Sequence, residues 1–357
     1  MANRALVMSG GGSRGAFQLG AADYLVNERG LDFQVIAGVS TGSLNAILMA
    51  QGAGLEGLKA SLAELRSLWF GIRSDRDIYS PRFLGKLFVL FAKNSVYSTE
   101  PLAKLIARHV SPERLRASGK ELRIGAVSLE TGDFRTVGQK DPRIRDWALA
   151  SSAIPLVFPP VTIGDETALD GGVRNLTPLE DAFTALKGLG SGEGEPDEMY
   201  VVLASPLELG VDRTPRKSGL AISKRAAEIL INEVFREDLA YAMAVNDSVR
   251  GYVQLRDRLA ARLGAREAEA ILGETTFPFR PPKYRHVPIW TIVPDTAYSG
   301  GLEFDPPKIE QAFRAGREAA RNPLRDIDLR RRLAAARVEG DGPRSAGPPA
   351  PRAAAAP

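Results

Sequence analysis

Gly38-Val39-Ser40-Thr41-Gly42 stands between the apolar run FQVIAGV and the helix-forming stretch LNAILMA. A serine at the apex of a strand-to-helix turn, with glycine two positions to either side, has its hydroxyl lifted clear of the sheet, where it can attack a carbonyl carbon. The glycines leave room for the flanking strand and helix to approach. The bare pattern also describes ordinary structural turns. Here the strand before it and the helix former after it favour a nucleophile.

A second stretch, Ser9-Gly10-Gly11-Gly12-Ser13-Arg14-Gly15, admits two chemistries. Gly10, Gly12 and Gly15 satisfy G-x-G-x-x-G, which between a strand and a helix can cradle the pyrophosphate of a dinucleotide and would make the chain a nucleotide-binding module. That reading calls for an acidic residue at the far end of the second strand. Asp32 has roughly the right separation but precedes FQVIAGV, which puts it at the wrong end. In the other reading, consecutive glycines bare successive backbone N–H groups ahead of a helix N-terminus and form an oxyanion hole. Donors of that kind contribute about 3 to 4 kcal/mol each to stabilising an acyl tetrahedral intermediate. Arg14 adds positive field or holds the loop.

A serine nucleophile needs a proton acceptor, and the chain has two histidines. His109 ends an apparent helix, where the helix C-terminus explains it. His286 lies in a proline-flanked loop with no acidic neighbour in sequence. Asp170 offers another route, since it closes the strand-like ETAL and opens DGGVRNLTP, so its carboxylate projects from a strand end into a glycine turn. Aspartate at its reference pKa of ~3.9 is a weak base, but burial raises that value.

The ordered set GGGSRG, GVSTG and DGG, with SSAIPLVFPPV just before the last, resembles the patatin-like phospholipases, a family of serine acyl hydrolases. The resemblance runs from about Arg4 to beyond Asn175, and FDPPKIEQAFRAG near the C-terminus also looks like bacterial members. It implies a three-layer α/β/α fold with a largely parallel central sheet and a C-terminal helical elaboration. It also implies a Ser/Asp dyad: Ser40 as nucleophile, Asp170 as base, and Gly11 and Gly12 as the oxyanion hole with Arg14 beside it. The implied substrate is a lipid ester (phospholipid, lysophospholipid or glyceride), with hydrolysis and acyl transfer both open. No cofactor or metal is called for, and no nucleic acid is expected as a partner. A cytoplasmic location with transient membrane-surface contact is expected.

The elements that must position these residues are readable as well. ALVM, FQVIAGV, the pair within ELRIGAVSLETGDFRTVG, EMYVVLAS and PIWTIVP read as strands. Helical patterns are predicted from about Arg14, with Phe17, Ala21, Tyr24 and Leu25 on one face, and after Gly54, with Leu55, Leu58, Leu62, Leu65 and Leu68 as a core stripe. Another runs from about Ser218 to Asn246, with Ile222, Ala226, Ile229 and Leu230 on one face, and the last passes through Phe313. Alternation of the two kinds predicts a parallel sheet covered by helices. Residues 83–94, FLGKLFVLFAKN, read either as a buried helix or as a lid or acyl-pocket wall. Residues 1–337 are expected to form the acyl hydrolase domain, and 338–357, poor in large apolar residues, a disordered tail.

With 44% hydrophobic and 25% charged residues the composition is that of a globular protein. No apolar run reaches the ~18 residues of a bilayer span, and the N-terminus lacks a secretory pattern. The absence of cysteine excludes disulfides and thiolate chemistry. Net charge is +4, and the arginines between Arg314 and Arg344 read as a solvated helix face.

Overall fold

Runs of β-branched and aliphatic residues bounded by glycine and polar residues become strands, and the segments between them with helical periodicity become helices. The computed structural model describes residues 2–81, 95–190, 197–208, 219–274, 276–281, 283–325, 328–329 and 331. In chain order the elements are β1 (Arg4–Met8), α1 (Gly15–Asp23), β2 (Val35–Val39), α2 (Thr41–Met49), α3 (Gly54–Gly71), β3 (Ser80–Pro81) and β4 (Tyr97–Ser98). Then come α4 (Glu100–His109), α5 (Pro112–Ala117), β5 (Glu121–Ser128), β6 (Phe134–Val137), α6 (Ile144–Ser151), β7 (Val161–Ile163), β8 (Glu166–Asp170) and α7 (Leu179–Gly188). The remainder is β9 (Glu198–Val202), α8 (Gly219–Leu263), α9 (Ala265–Gly273), β10 (Ile289–Ile292), α10 (Pro306–Ala319) and β11 (Leu324–Arg325).

Among the described residues the main sheet has nine strands, in the order β11-β10-β9-β1-β2-β5-β8-β7, with β6 also on β5. The central pairings β10–β9, β9–β1, β1–β2 and β2–β5 are parallel, and those involving β6, β7, β8 and β11 are antiparallel. Side-chain alternation sends Leu6, Met8 and Ile36 to one face, packed with α1, α2, α3 and α10, and Ala5, Val7, Val35 and Ala37 to the other, with α7 and α8. Both faces are covered, which is why β1 and β2 read as unbroken apolar runs. The result is the expected three-layer α/β/α arrangement.

Three expectations are corrected. Every residue of α1 is buried, so its apolar side is not a single face: α10 lies across it, and Arg317 of α10 pairs with Asp23 and, at 2.8 Å, with Glu28. The long helix α8 runs on to Leu263, and Ile222, Ala226 and Ile229 are exposed. Among its described side chains, Val234, Phe235, Leu239, Ala242 and Met243 pack in the core on that side of the sheet. Leu68 does not join Leu58, Leu62 and Leu65 in full burial; it is half-buried and opens on a cavity described below. Residues 83–94 and the tail 338–357 lie outside the described residues, as does Leu230's side chain.

Candidate active site

The sheet register brings Ser40 and Asp170 together. Ile124 and Gly125 of β5 pair with β2 on one edge and β6 on the other, while Ala126 and Val127 pair with β8 and β6. Hence β2 and β8 occupy the same edge of β5, one beyond the other. They run toward each other: Val39 stands opposite Gly125 and Asp170 opposite Ala126. Because β8 fills the lane ahead, the chain leaving β2 must turn away at once, and it does so at Ser40 with φ 56° and ψ −129°. Positive φ at a non-glycine residue is a strained conformation, held here by its surroundings.

Those surroundings are specific. Ser40 N–H donates to Ser151 Oγ at 3.0 Å, and Ser151 Oγ donates to Gly125 O at 2.6 Å, which ties the elbow to α6 and β5. Ser43 Oγ donates to Ser40 O at 2.6 Å. A Cβ on Gly38 would overlap the Gly42 backbone, and one on Gly42 the carbonyls of Met8 and Ser9, so both flanking positions of the elbow need glycine for close approach. Ser40 and Asp170 are 5% and 4% exposed, so both groups are removed from bulk water. The Asp170 carboxylate accepts the Gly172 N–H at 2.7 Å, and the Ser40 side chain lies near enough to act on its ionisation. Burial pushes its pKa up to about 6 against the opposing pull of the Gly172 N–H and the Ser40 hydroxyl.

The glycine loop lies beside them. Gly10 N–H is committed to Leu176 O (3.1 Å) and Ser13 N–H to Gly301 O (2.8 Å). Among the described residues the N–H groups of Gly11 and Gly12 have no protein acceptor. Gly12 has φ +60° and packs on the Gly301 carbonyl so closely that a Cβ would overlap it. Thr41, first residue of α2, likewise has an N–H without an intrahelical partner. Arg14 is half-buried: Nε donates to Ser299 O (3.0 Å) and Nη1 to Ser205 Oγ (2.8 Å). These contacts tie the Arg14 side chain to residues 205 and 299.

Among the described residues neither histidine hydrogen-bonds Ser40, although His109 lines the same cavity as Ser40. His109 Nδ1 faces Glu64 Oε1 at 3.3 Å, and its carbonyl accepts from Gln51 beyond the C-terminal end of α2. Ser40 caps the other end of that nine-residue helix, about 13 Å away along its axis. His286 precedes β10, at the sheet edge opposite the one where β2 delivers Ser40. Burial, with Arg250 nearby, lowers its pKa. Asp32 sits at the start of β2 and pairs with Lys120 at 2.6 Å, far from the glycine loop, so the ribose contact of the dinucleotide reading is missing. Among the described residues no group of three or more His, Asp or Glu side chains could hold a metal ion.

Ser40, Thr41 and Gly12 open on a cavity of about 630 Å³. Leu44 and Leu48 of α2, Leu65 and Leu68 of α3, Leu102 and Leu105 of α4, and Phe158, Leu302 and Phe304 make up much of its wall. Exposed Arg76, Lys104 and Arg108 stand at its edge. This is the size range of ligand pockets, and its lining suits a long apolar group. Ser151, Leu176, Thr41 and residues 299–304 were not anticipated. Ser151 falls within the SSAIPLVFPPV stretch and Phe304 opens the FDPPKIEQAFRAG stretch already noted, whereas no local pattern marks 299–303.

Among the described residues no helix is long and apolar enough to cross a membrane. No curated protein matches the chain. Solved structures similar to it include VipD from Legionella pneumophila, with 14% identity over 94% of this chain and 67% of that one and a TM-score of 0.39. Another is the ExoU–SpcU complex from the type III secretion system of Pseudomonas aeruginosa, with 19% identity over 77% of this chain and 67% of that one and a TM-score of 0.31. Residues 6–183, which hold the glycine loop, the elbow and the Asp-Gly-Gly turn, match the family model described as patatin-like phospholipase. The chain belongs to the patatin-like phospholipase family.

Proposed function

We propose that this member of a lipid ester hydrolase family cleaves carboxylic esters of phospholipids, lysophospholipids or glycerides through a Ser40 acyl-enzyme, with Asp170 as general base. The observation that carries the reading is the head-to-head meeting of β2 and β8, which sets Ser40 against a buried carboxylate at the end of an apolar cavity. Ser40 Oγ attacks the acyl carbon while Asp170 takes its proton. The developing oxyanion is met by the N–H groups of Gly11 and Gly12, supported by that of Thr41. The intermediate collapses as Asp170 returns the proton to the leaving alcohol. Water then attacks the acyl-enzyme, giving its proton to Asp170, and the free acid leaves as Ser40 regains a hydrogen.

With a pKa of about 6 the base is ionised at neutral pH, yet far stronger than an exposed aspartate. Turnover of the free enzyme is therefore expected to rise with pH through about 6. The apolar wall would take the acyl chain, and the substrate class implies work at a lipid surface. The test is release of 4-nitrophenol from a short-chain ester by the wild type, Ser40→Ala, Asp170→Asn, His109→Ala and His286→Ala, each checked for folding. Loss of activity in the first two variants alone supports the dyad. A folded, active Ser40→Ala would remove the elbow from the mechanism.

A further inference from the structure

Residues 299–304 touch the glycine loop at one end and the cavity at the other. At the loop end Ser13 donates its N–H to Gly301 O (2.8 Å), the Ser13 and Ser299 hydroxyls share a hydrogen bond of 2.6 Å, and Arg14 Nε donates to Ser299 O (3.0 Å). At the cavity end the side chains of Leu302 and Phe304 form part of the wall. There the backbone is pinned: Tyr79 Oη donates to Leu302 O (2.7 Å) and Phe304 N–H to Asp75 Oδ1 (2.6 Å). Burial and the nearby Asp75 carboxylate raise the Tyr79 pKa, so the phenol remains a donor. Gly301, at φ +81°, joins the two ends and rests its carbonyl on Gly12.

Resting on the dyad reading above, we infer that residues 299–304 are a specificity-determining strap that transmits occupation of the cavity to the glycine loop, so that a longer acyl chain is expressed as faster turnover as well as tighter binding. Binding energy from a remote part of a substrate raises kcat only where it improves the fit to the transition state. An acyl chain against Leu302 and Phe304 bears on the same short backbone segment that positions Ser13 and Gly12. In the proposed mechanism the Gly12 N–H meets the oxyanion, so a small displacement of the strap alters a contribution worth orders of magnitude.

The experiment measures kcat and KM separately for 4-nitrophenyl acetate and 4-nitrophenyl decanoate, with the wild type, Tyr79→Phe, Ser299→Ala and, as a control, Ser40→Ala. Tyr79→Phe frees the Leu302 carbonyl without removing a cavity-wall side chain named above; Ser299→Ala loosens the loop end by removing the Ser13–Ser299 hydroxyl bond while leaving the two backbone contacts. The wild type is expected to have the higher kcat on decanoate, and either variant to reduce the decanoate-to-acetate kcat ratio about fivefold, the effect of one hydrogen bond. Chain length acting on KM alone in the wild type overturns the inference, and that measurement needs no variant to fold. Equal losses of kcat on both esters in the variants overturn it too, because they mark simple structural support. Turnover that persists in Ser40→Ala, or is absent from the wild type, refutes the dyad reading and the strap with it; Ser40-dependent turnover with equal kcat on both esters refutes the strap alone.

Discussion

The dyad and the glycine loop are built differently, although they face the same space. Ser40 and Asp170 are fixed from within residues 6–183: by Ser151 and Gly125 on one side, and on the other by Gly172 and by Ala153, whose carbonyl accepts the Asp170 N–H. The glycine loop leans on the rest of the chain. Ser205, Ser299 and Gly301 hold Arg14 and Ser13, and Gly11 is packed so tightly on Ala204 that a Cβ there would overlap it. The proposed nucleophile and base thus depend on sheet register, whereas the proposed oxyanion hole depends on contacts that reach from the N-terminal glycines to residues 299–301. Damage in the C-terminal half should lower kcat without moving the pKa of the base.

The largest effect tests the dyad side. Ser40→Ala is expected to lose on the order of 10⁴-fold or more in kcat on any ester, as removal of a nucleophile does elsewhere. Asp170→Asn should lose comparably and, unlike Ser40→Ala, become more stable. The sign follows from burial. A carboxyl whose folded pKa is raised from 3.8 to about 6 favours folding most while protonated, and that contribution is lost as pH rises from about 4 to about 6. At pH 7.5 the ionised Asp170 therefore costs about 3 kcal/mol at most. The amide of Asn can still accept the Gly172 N–H, so a higher melting temperature at pH 7.5, with the gain shrinking toward pH 4, is expected by differential scanning calorimetry. A lower melting temperature would mean that the carboxylate is stabilising where it stands.

Ser151→Ala comes next and separates register from chemistry. It strands the Ser40 N–H and the Gly125 carbonyl, both buried, at a cost of about 1–3 kcal/mol of stability. Activity on a short ester should fall while its pH midpoint stays near 6, since Asp170 keeps its own partners. Ser205→Ala, on the loop side, is smaller: it removes one of Arg14's contacts and should lower kcat a few-fold with KM and pH midpoint unmoved. A shifted midpoint in Ser205→Ala would mean that the two regions are coupled after all.

This division also explains what could be read from the chain beforehand. Strands β1, β2, β5, β6 and β9 announce themselves by apolar runs and turn residues, and the elbow and Asp-Gly-Gly turn are local patterns. That β2 and β8 meet on one edge of β5 is a property of pairing register across about 130 residues, which no local pattern encodes. Residues 299–301 carry a backbone role in the glycine loop, and backbone carbonyls leave no residue-type signature. Exposure of Ile222, Ala226 and Ile229 escaped for a related reason: helical periodicity identifies a face of α8, but how far the sheet extends beneath it is tertiary information.

The smallest expected effect is also the most discriminating for the base. A pH midpoint near 6 cannot by itself distinguish a buried aspartate from a histidine, whose ordinary pKa is ~6.5. Geometry separates them: His109 is held at Glu64 beyond the far end of α2, and His286 is at the opposite edge of the sheet. His109→Ala and His286→Ala should therefore retain kcat/KM within about twofold of the wild type, with the acid limb of the profile still near 6. The lowered pKa of His286 would place its own titration below that of an ordinary histidine. Loss of the limb in His286→Ala would require its loop to reach across the sheet; loss in His109→Ala would require α4 to move along α2. Either result would replace Asp170 as base while leaving the register that delivers Ser40 intact.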